Sequence, residues 1–238
     1  MVPKRRAFWR LALVFLGAMA VGALLQSPLF SVESVAVSGG VLSAADVVDR
    51  TGLELPAGFF TIKTGRLTQK LLEDPKIASV KVSLGFPNRL KVALTPRVPV
   101  LAAPDSVSGR FALLGEDLVV VSLVDKLPRG VPVLNGLRGR PPAPGLKLAS
   151  SRQLAAALAY WRAAGRVFGA DKLSEVFADT EGRTTIYLRD GRRVIFGDIG
   201  NSSAKEEVLR ALVKQLGDEG RKASELNLTD PDRPLIRS

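Results

Sequence analysis

From Leu11 to Leu25 the chain runs fifteen residues without a charged or strongly polar side chain, and this run constrains the molecule more than any other feature. Such a stretch must leave water, and what it enters decides which solvent the other residues face. Lys4, Arg5, Arg6 and Arg10 precede it, no acidic residue appears before Glu33, and Gln26, Ser27 and Pro28 follow it. A spanning helix needs roughly 20 apolar residues, with a usable range of about 17 to 25. Ala7, Phe8 and Trp9 extend the run if Arg10 carries its charge to the headgroups and Trp9 sits at the interface. A cleavable leader has the same basic start and an apolar core of about 7 to 15 residues, then small residues such as Ala18 and Ala20. The stretch alone leaves three readings open: a retained anchor over residues 11–29, a leader that is cut, or a buried helix. Retained or cut, the positive flank keeps the first ten residues in the cytoplasm and sends the chain after about residue 30 outside.

Composition narrows the chemistry. There is no cysteine, hence no disulfide framework and no thiolate, and no histidine, hence neither the usual general base nor the commonest metal ligand. The formal charge is +11; setting aside the four basic residues before Leu11 leaves 30 against 23, a balance of +7. On an exported domain that balance faces anionic headgroups or wall polymer rather than nucleic acid.

After Ser31 the pattern changes to short alternating segments. Val32, Val35 and Val37 read as a strand stopped by Gly39-Gly40, and Ser43 to Asp46 reads as a capping box opening a short helix to about Arg50. Thr64 is the expected cap of a second helix, with Leu67 and Leu71 on one face and Pro75 at its end. A hairpin follows. Ala78, Val80, Val82 and Leu84 alternate with Ser79, Lys81 and Ser83; Gly85 to Asn88 turns; Leu90, Val92 and Leu94 alternate with Arg89, Lys91 and Ala93. Its polar face carries Lys81, Arg89 and Lys91, which read as solvated cations or as a docking patch for an acidic partner.

Residues 31–97 thus predict β-α-α-β-β. Val32-Glu-Ser-Val-Ala-Val-Ser-Gly-Gly with its following helix, then Leu71 to Val100, resemble the POTRA domain of the FtsQ/DivIB cell-division proteins. POTRA patterns also occur in outer-membrane barrel assembly proteins, but the motifs beyond Pro99 keep the FtsQ/DivIB order. Two strands meet at Gly115-Glu116-Asp117, and Leu127-Pro128 to Asn135-Gly136 resembles the family's "LP.l.G" loop. Arg138 to Gly145 is a proline-rich loop, and a helix capped by Ser151 buries Leu154, Leu158 and Trp161. A meander turns at Asp190-Gly191, and a last helix begins near Lys205 with Leu209, Leu212 and Leu216 on its apolar stripe. The ending, Ser224 to Arg237, resembles the family's "vDLR….p.vR", with Asn227 and Thr229 in place of Asp and Arg.

One catalytic pattern needs weighing. Ser202 and Lys205 fit S-x-x-K, and Lys63-Thr64-Gly65 fits K-T-G, as in penicillin-binding proteins. The K-T-G precedes the S-x-x-K and opens a helix instead of lying on a strand, so the expected role of Lys205 is capping or packing. No catalytic, cofactor or metal residue is expected.

The resemblance implies an α+β chain: cytoplasmic tail 1–10, transmembrane signal anchor 11–29 (bounded by Arg10, Leu11 and Leu25), POTRA domain 30–98, and a mainly antiparallel β domain with flanking helices over 99–238. It implies a non-enzymatic scaffold of the inner membrane and division septum, bound to FtsB- and FtsL-like bitopic proteins and through them to the septal peptidoglycan synthase complex. The alternative is a POTRA-type chaperone for translocating polypeptides. Because Pro231 and Pro234 cannot donate to a ladder, the residues around Leu226, Asn227, Leu228, Thr229, Arg233 and Arg237 read as an edge segment. In the resembled family that edge receives a partner strand. The expected contacts are therefore these six residues and, on the POTRA domain, Lys81, Arg89 and Lys91.

Overall fold

The computed structural model describes residues 9, 13–19, 31–58, 61–85, 88–149, 151–220 and 223–237. Arg10, Leu11 and Leu25 of the expected anchor lie outside them. Residues 13–19 are helical and exposed, and among the described residues no helix is long and apolar enough to cross a membrane. The chain divides into two compact units, residues 1–96 and 97–238.

The first unit contains β1 (Ser31–Val32), β2 (Ser34–Ser38), α1 (Ala44–Thr51), β3 (Ala57–Gly58), α2 (Thr64–Leu72), β4 (Ile77–Gly85) and β5 (Arg89–Pro96). Strand β5 is central in a three-stranded sheet, parallel to β2 and antiparallel to β4. Alternation places Leu90, Val92 and Leu94 inward, where they pack with Val47, Leu67, Leu71 and Ile77. Burying each such side chain contributes about 1.5–3 kcal/mol. The capping box forms as read: Ser43 Oγ accepts from Asp46 N at 3.2 Å, and Asp46 Oδ2 accepts from Ser43 N at 2.9 Å.

Two details differ from the sequence reading. The register slips between Ile77 and Ser79, so Ile77 is the buried residue and Ala78 is exposed. Lys63 occupies the N-cap of α2 with no side-chain hydrogen bond, and Thr64 is already helical. Strands β1 and β3 pair antiparallel, Ser31 opposite Gly58 and Val32 opposite Ala57, a contact the two-residue strands do not announce in sequence.

The second unit is one nine-stranded sheet with two long helices on one face. Its strands are β6 (Leu101–Pro104), β7 (Phe111–Leu114), β8 (Val120–Val124), β9 (Val133–Asn135), β10 (Leu173–Ala178), β11 (Thr184–Leu188), β12 (Arg193–Gly197), β13 (Glu225–Asn227) and β14 (Leu235–Arg237). Their order is β14-β13-β12-β11-β10-β9-β6-β7-β8. The sheet is mixed, since the joints β6–β9, β9–β10 and β12–β13 are parallel. Parallel neighbours need a crossover. Helix α3 (Arg152–Phe168) supplies it between β9 and β10, and α4 (Ser202–Asp218) between β12 and β13. Buried residues of both helices share one core with Val176, Ile186, Val194, Phe196 and Leu226.

Ser151 caps α3 as expected, accepting from Leu154 N at 3.2 Å, and the helix runs on to Phe168. At its start the buried Gln153 donates to Gly136 O at 2.8 Å and to Ala178 O at 2.6 Å, tying the ends of β9 and β10 to the helix. Gly136 has φ +91°, and a Cβ there would stand 2.1 Å from Ala178 O, so only glycine fits this approach.

Candidate functional site

The large sheet ends at β14 on one side and at β8 on the other, where Gly145 and Leu146 bond to Val120. The sequence reading put the edge at Leu226–Leu228, but β13 is one strand in, paired with β12 on one side and with β14 on the other. After the turn containing Pro231 and Pro234 the chain folds back and adds Leu235–Arg237 outside it. Leu226 and Leu228 are consequently core residues, 3% and 0% exposed. Leu228 N extends the β12 pairing by donating to Ile195 O at 2.7 Å.

The polar residues between them serve the turn. Asn227 Oδ1 accepts from Thr229 N at 3.0 Å, and Thr229 packs against Gly197, where a Cβ would come within 3.0 Å of its methyl. Arg233 lies exposed in the turn that follows. Of the six expected residues, then, two are buried, two build the turn, and Arg233 and Arg237 are presented to solvent. Leu235, which the sequence reading passed over, is 62% exposed on the edge strand itself. Its signal was a short apolar pair just after Pro234.

Opposite the helices, the face of β10 to β14 is built from two rows of residues in register. Glu175, Tyr187, Arg193, Glu225 and Arg237 form one; Phe177, Thr185, Ile195, Asn227 and Leu235 form the other. In the first row the buried Glu225 is shared: the Arg193 guanidinium holds one oxygen, and Arg237 Nη1 approaches the other at 3.5 Å. In the second row Phe177 and Leu235 stay exposed. The edge therefore offers an apolar side chain, a cation engaged only at long range and the open hydrogen-bonding side of β14.

The three POTRA cations fall together on the outer face of the small sheet. Lys81 stands opposite Ala93, Lys91 opposite Ser83 and Arg89 opposite Gly85. All three are exposed, and none has an ion-pair partner among the described residues. Their neighbours on β2 are Ser34, Ala36 and Ser38, so small side chains leave the charges standing clear.

Lys205 does not assemble an S-x-x-K centre. It is 1% exposed. Its Nζ donates to Phe196 O at 2.8 Å, Asp198 O at 3.0 Å and Asp198 Oδ1 at 3.2 Å. These three acceptors occupy the ammonium, and Ser202 is not one of them, so nucleophile and base are not joined. The bond from Lys205 holds the Asp198 carboxyl below the usual carboxylate range. Tyr160 stacks on Phe196 with ring centroids 4.3 Å apart and donates to Asp198 O. Burial, with Asp198 adding to it, pushes its hydroxyl up to about 12. Sequence reasoning found Lys205 but neither Tyr160 nor the carbonyls it meets, because the cluster joins α3, α4 and the end of β12. Among the described residues no group of three or more acidic side chains is placed to hold a metal ion.

Comparison with known proteins agrees with both units. A family model described as POTRA domain, FtsQ-type matches residues 30–97, and one described as Cell division protein FtsQ/DivIB, C-terminal matches residues 106–230. The chain is 30% identical over 226 residues to the cell division protein FtsQ of Streptomyces collinus, covering 85% of this chain and 77% of that one. It is 28% identical to FtsQ of Streptomyces bingchenggensis (99% and 87% covered) and 28% identical to FtsQ of Mycobacteroides abscessus (95% and 69% covered). With a family model over more than half its length, preceded by the matching POTRA domain, the chain belongs to the FtsQ/DivIB family of cell-division proteins.

Proposed function

We propose that this chain is a non-enzymatic scaffold of the divisome, held in the cytoplasmic membrane by residues 11–29, with residues 1–10 inside and residues 30–238 outside. FtsB- and FtsL-like bitopic proteins are its partners, and through them it regulates the septal peptidoglycan synthase complex. The observation that supports this best is the β14 edge, where Leu235 and Arg237 flank backbone groups that pair with no further strand among the described residues. Such an edge is a hazard unless a partner uses it, and strand addition is the interaction it is built to accept. The main chain supplies affinity, Leu235 an apolar contact, and Arg237 and Arg233 a match for acidic side chains. Lys81, Arg89 and Lys91 offer a second, electrostatic surface for recruitment. Confinement by the anchor raises the local concentration of every membrane-bound partner without adding a contact.

Conditional depletion with membrane-stain microscopy tests the role. Depleted cells grow into filaments with unsegmented membranes; normally septate cells would contradict the proposal.

A further inference from the structure

The first unit contains a cavity of about 580 Å³ between the end of α1, β3 and the start of α2. Lys63, Arg66 and Lys70 line it, against a single carboxylate, Glu54. Spaced at three and four residues, the three cations form one stripe along α2. They are not equivalent. Lys70 Nζ donates to Thr51 O at 2.8 Å and so completes the end of α1. Lys63 and Arg66 are exposed, and neither side chain has a hydrogen-bond or ion-pair partner among the described residues. Leu53 and Ile62 give the same cavity a half-buried apolar wall.

The position of this cavity along the chain points to what fills it. Ser31 and Val32 pair directly with Gly58 and Ala57 at its rim. A span closing at residue 29 leaves only two residues to Ser31, a reach of at most about 7 Å. The headgroup layer of a bilayer is about 5 to 8 Å deep on each side. The β1–β3 pair thus fastens the cavity to the point where the chain leaves the membrane. We infer that this cation-lined cavity docks on the outer leaflet, with Lys63 and Arg66 gripping the phosphodiesters of anionic phospholipid headgroups. The inference rests on the anchor reading above. Docking here fixes the orientation of the POTRA unit against the bilayer.

The test uses the full chain, whose lack of cysteine lets Thr61→Cys carry a single fluorophore at the cavity. The labelled protein is reconstituted into phosphatidylcholine vesicles with or without about 30% phosphatidylglycerol, both carrying a headgroup nitroxide quencher. After a carbonate wash and flotation, quenching should be strong only with phosphatidylglycerol and should weaken with salt. Each basic residue near an anionic surface is worth about a fivefold preference, so Lys63→Gln with Arg66→Gln should lower the docked-to-undocked ratio about 25-fold. Lys76→Gln, exposed on the same unit but outside the cavity, should leave the ratio unchanged. Flotation with equal quenching in both lipids, or with quenching indifferent to the double substitution, overturns the headgroup site alone. Abolition of quenching by millimolar inorganic phosphate at constant ionic strength overturns it in favour of a soluble-phosphate site. Failure of the washed protein to float overturns the anchor and this inference together.

Discussion

Lys205 is one of the most deeply buried charges in the chain, and its value lies in what would remain without it. Lys205→Met would strip Phe196 O of its donor inside the core, a loss of about 1–3 kcal/mol measurable by urea unfolding. Tyr160→Phe keeps the stacked ring and leaves Asp198 O to Lys205, so the same measurement should give about 1 kcal/mol or less. At Gly136, substitution by alanine combines a positive φ with a backbone clash, and about 2 kcal/mol or more should be lost. The carboxylates add a pH dependence with a definite sign. Asp105 is held below the ordinary range first by its bond from Ser108, with Val107 N and Arg140 contributing, and Asp198 first by Lys205. A folded pKa below the unfolded value means stabilisation present above about pH 4 and lost as pH falls through the folded value. Melting temperature should therefore hold from neutral pH to about 5 and drop below about 4. Asp105→Asn should lower it at neutral pH and shrink the drop.

At the scale of elements, legibility followed locality. The capping box at Ser43, the β4–β5 alternation and the Ser151 cap were readable because each is decided within a few residues of sequence. The edge was misread for the same reason. Pro231 and Pro234 do forbid ladder donation, but they mark the turn between β13 and β14, and three residues after Pro234 are enough to build another strand. The parallel joints were also hidden, since pairing β9 with β10 or β12 with β13 depends on helices that carry the chain across the sheet. Removing residues 225–238 would delete Leu226 and Leu228 from the core and unfold the unit, so binding must be probed by substitution on β14. Leu235→Asp should weaken capture of an FtsB-like partner about tenfold while the melting temperature stays put, because the side chain is exposed until a partner covers it. On the small sheet, reversing Lys81, Arg89 and Lys91 together should reduce midcell recruitment without altering the circular dichroism spectrum, as expected of solvated side chains. Normal localisation of that folded variant would remove the three from the interaction surface.

For the whole molecule, family and chemistry point the same way: motif order spans both units, and the one catalytic pattern resolves into a lysine tied to backbone carbonyls. What the sequence could not supply was which backbone remains unpaired, because that depends on how nine strands sort themselves across a sheet. Strand β14 is the proposed acceptor of a partner strand. Amide hydrogen exchange of the full chain in lipid nanodiscs, with and without the extracytoplasmic segment of an FtsB-like partner, reads this directly. If β14 accepts the partner, Leu235–Arg237 exchange quickly alone and become protected on binding, together with the partner segment that pairs with them. Protection confined to other strands, with Leu235–Arg237 exchanging at the same rate in both states, would contradict it.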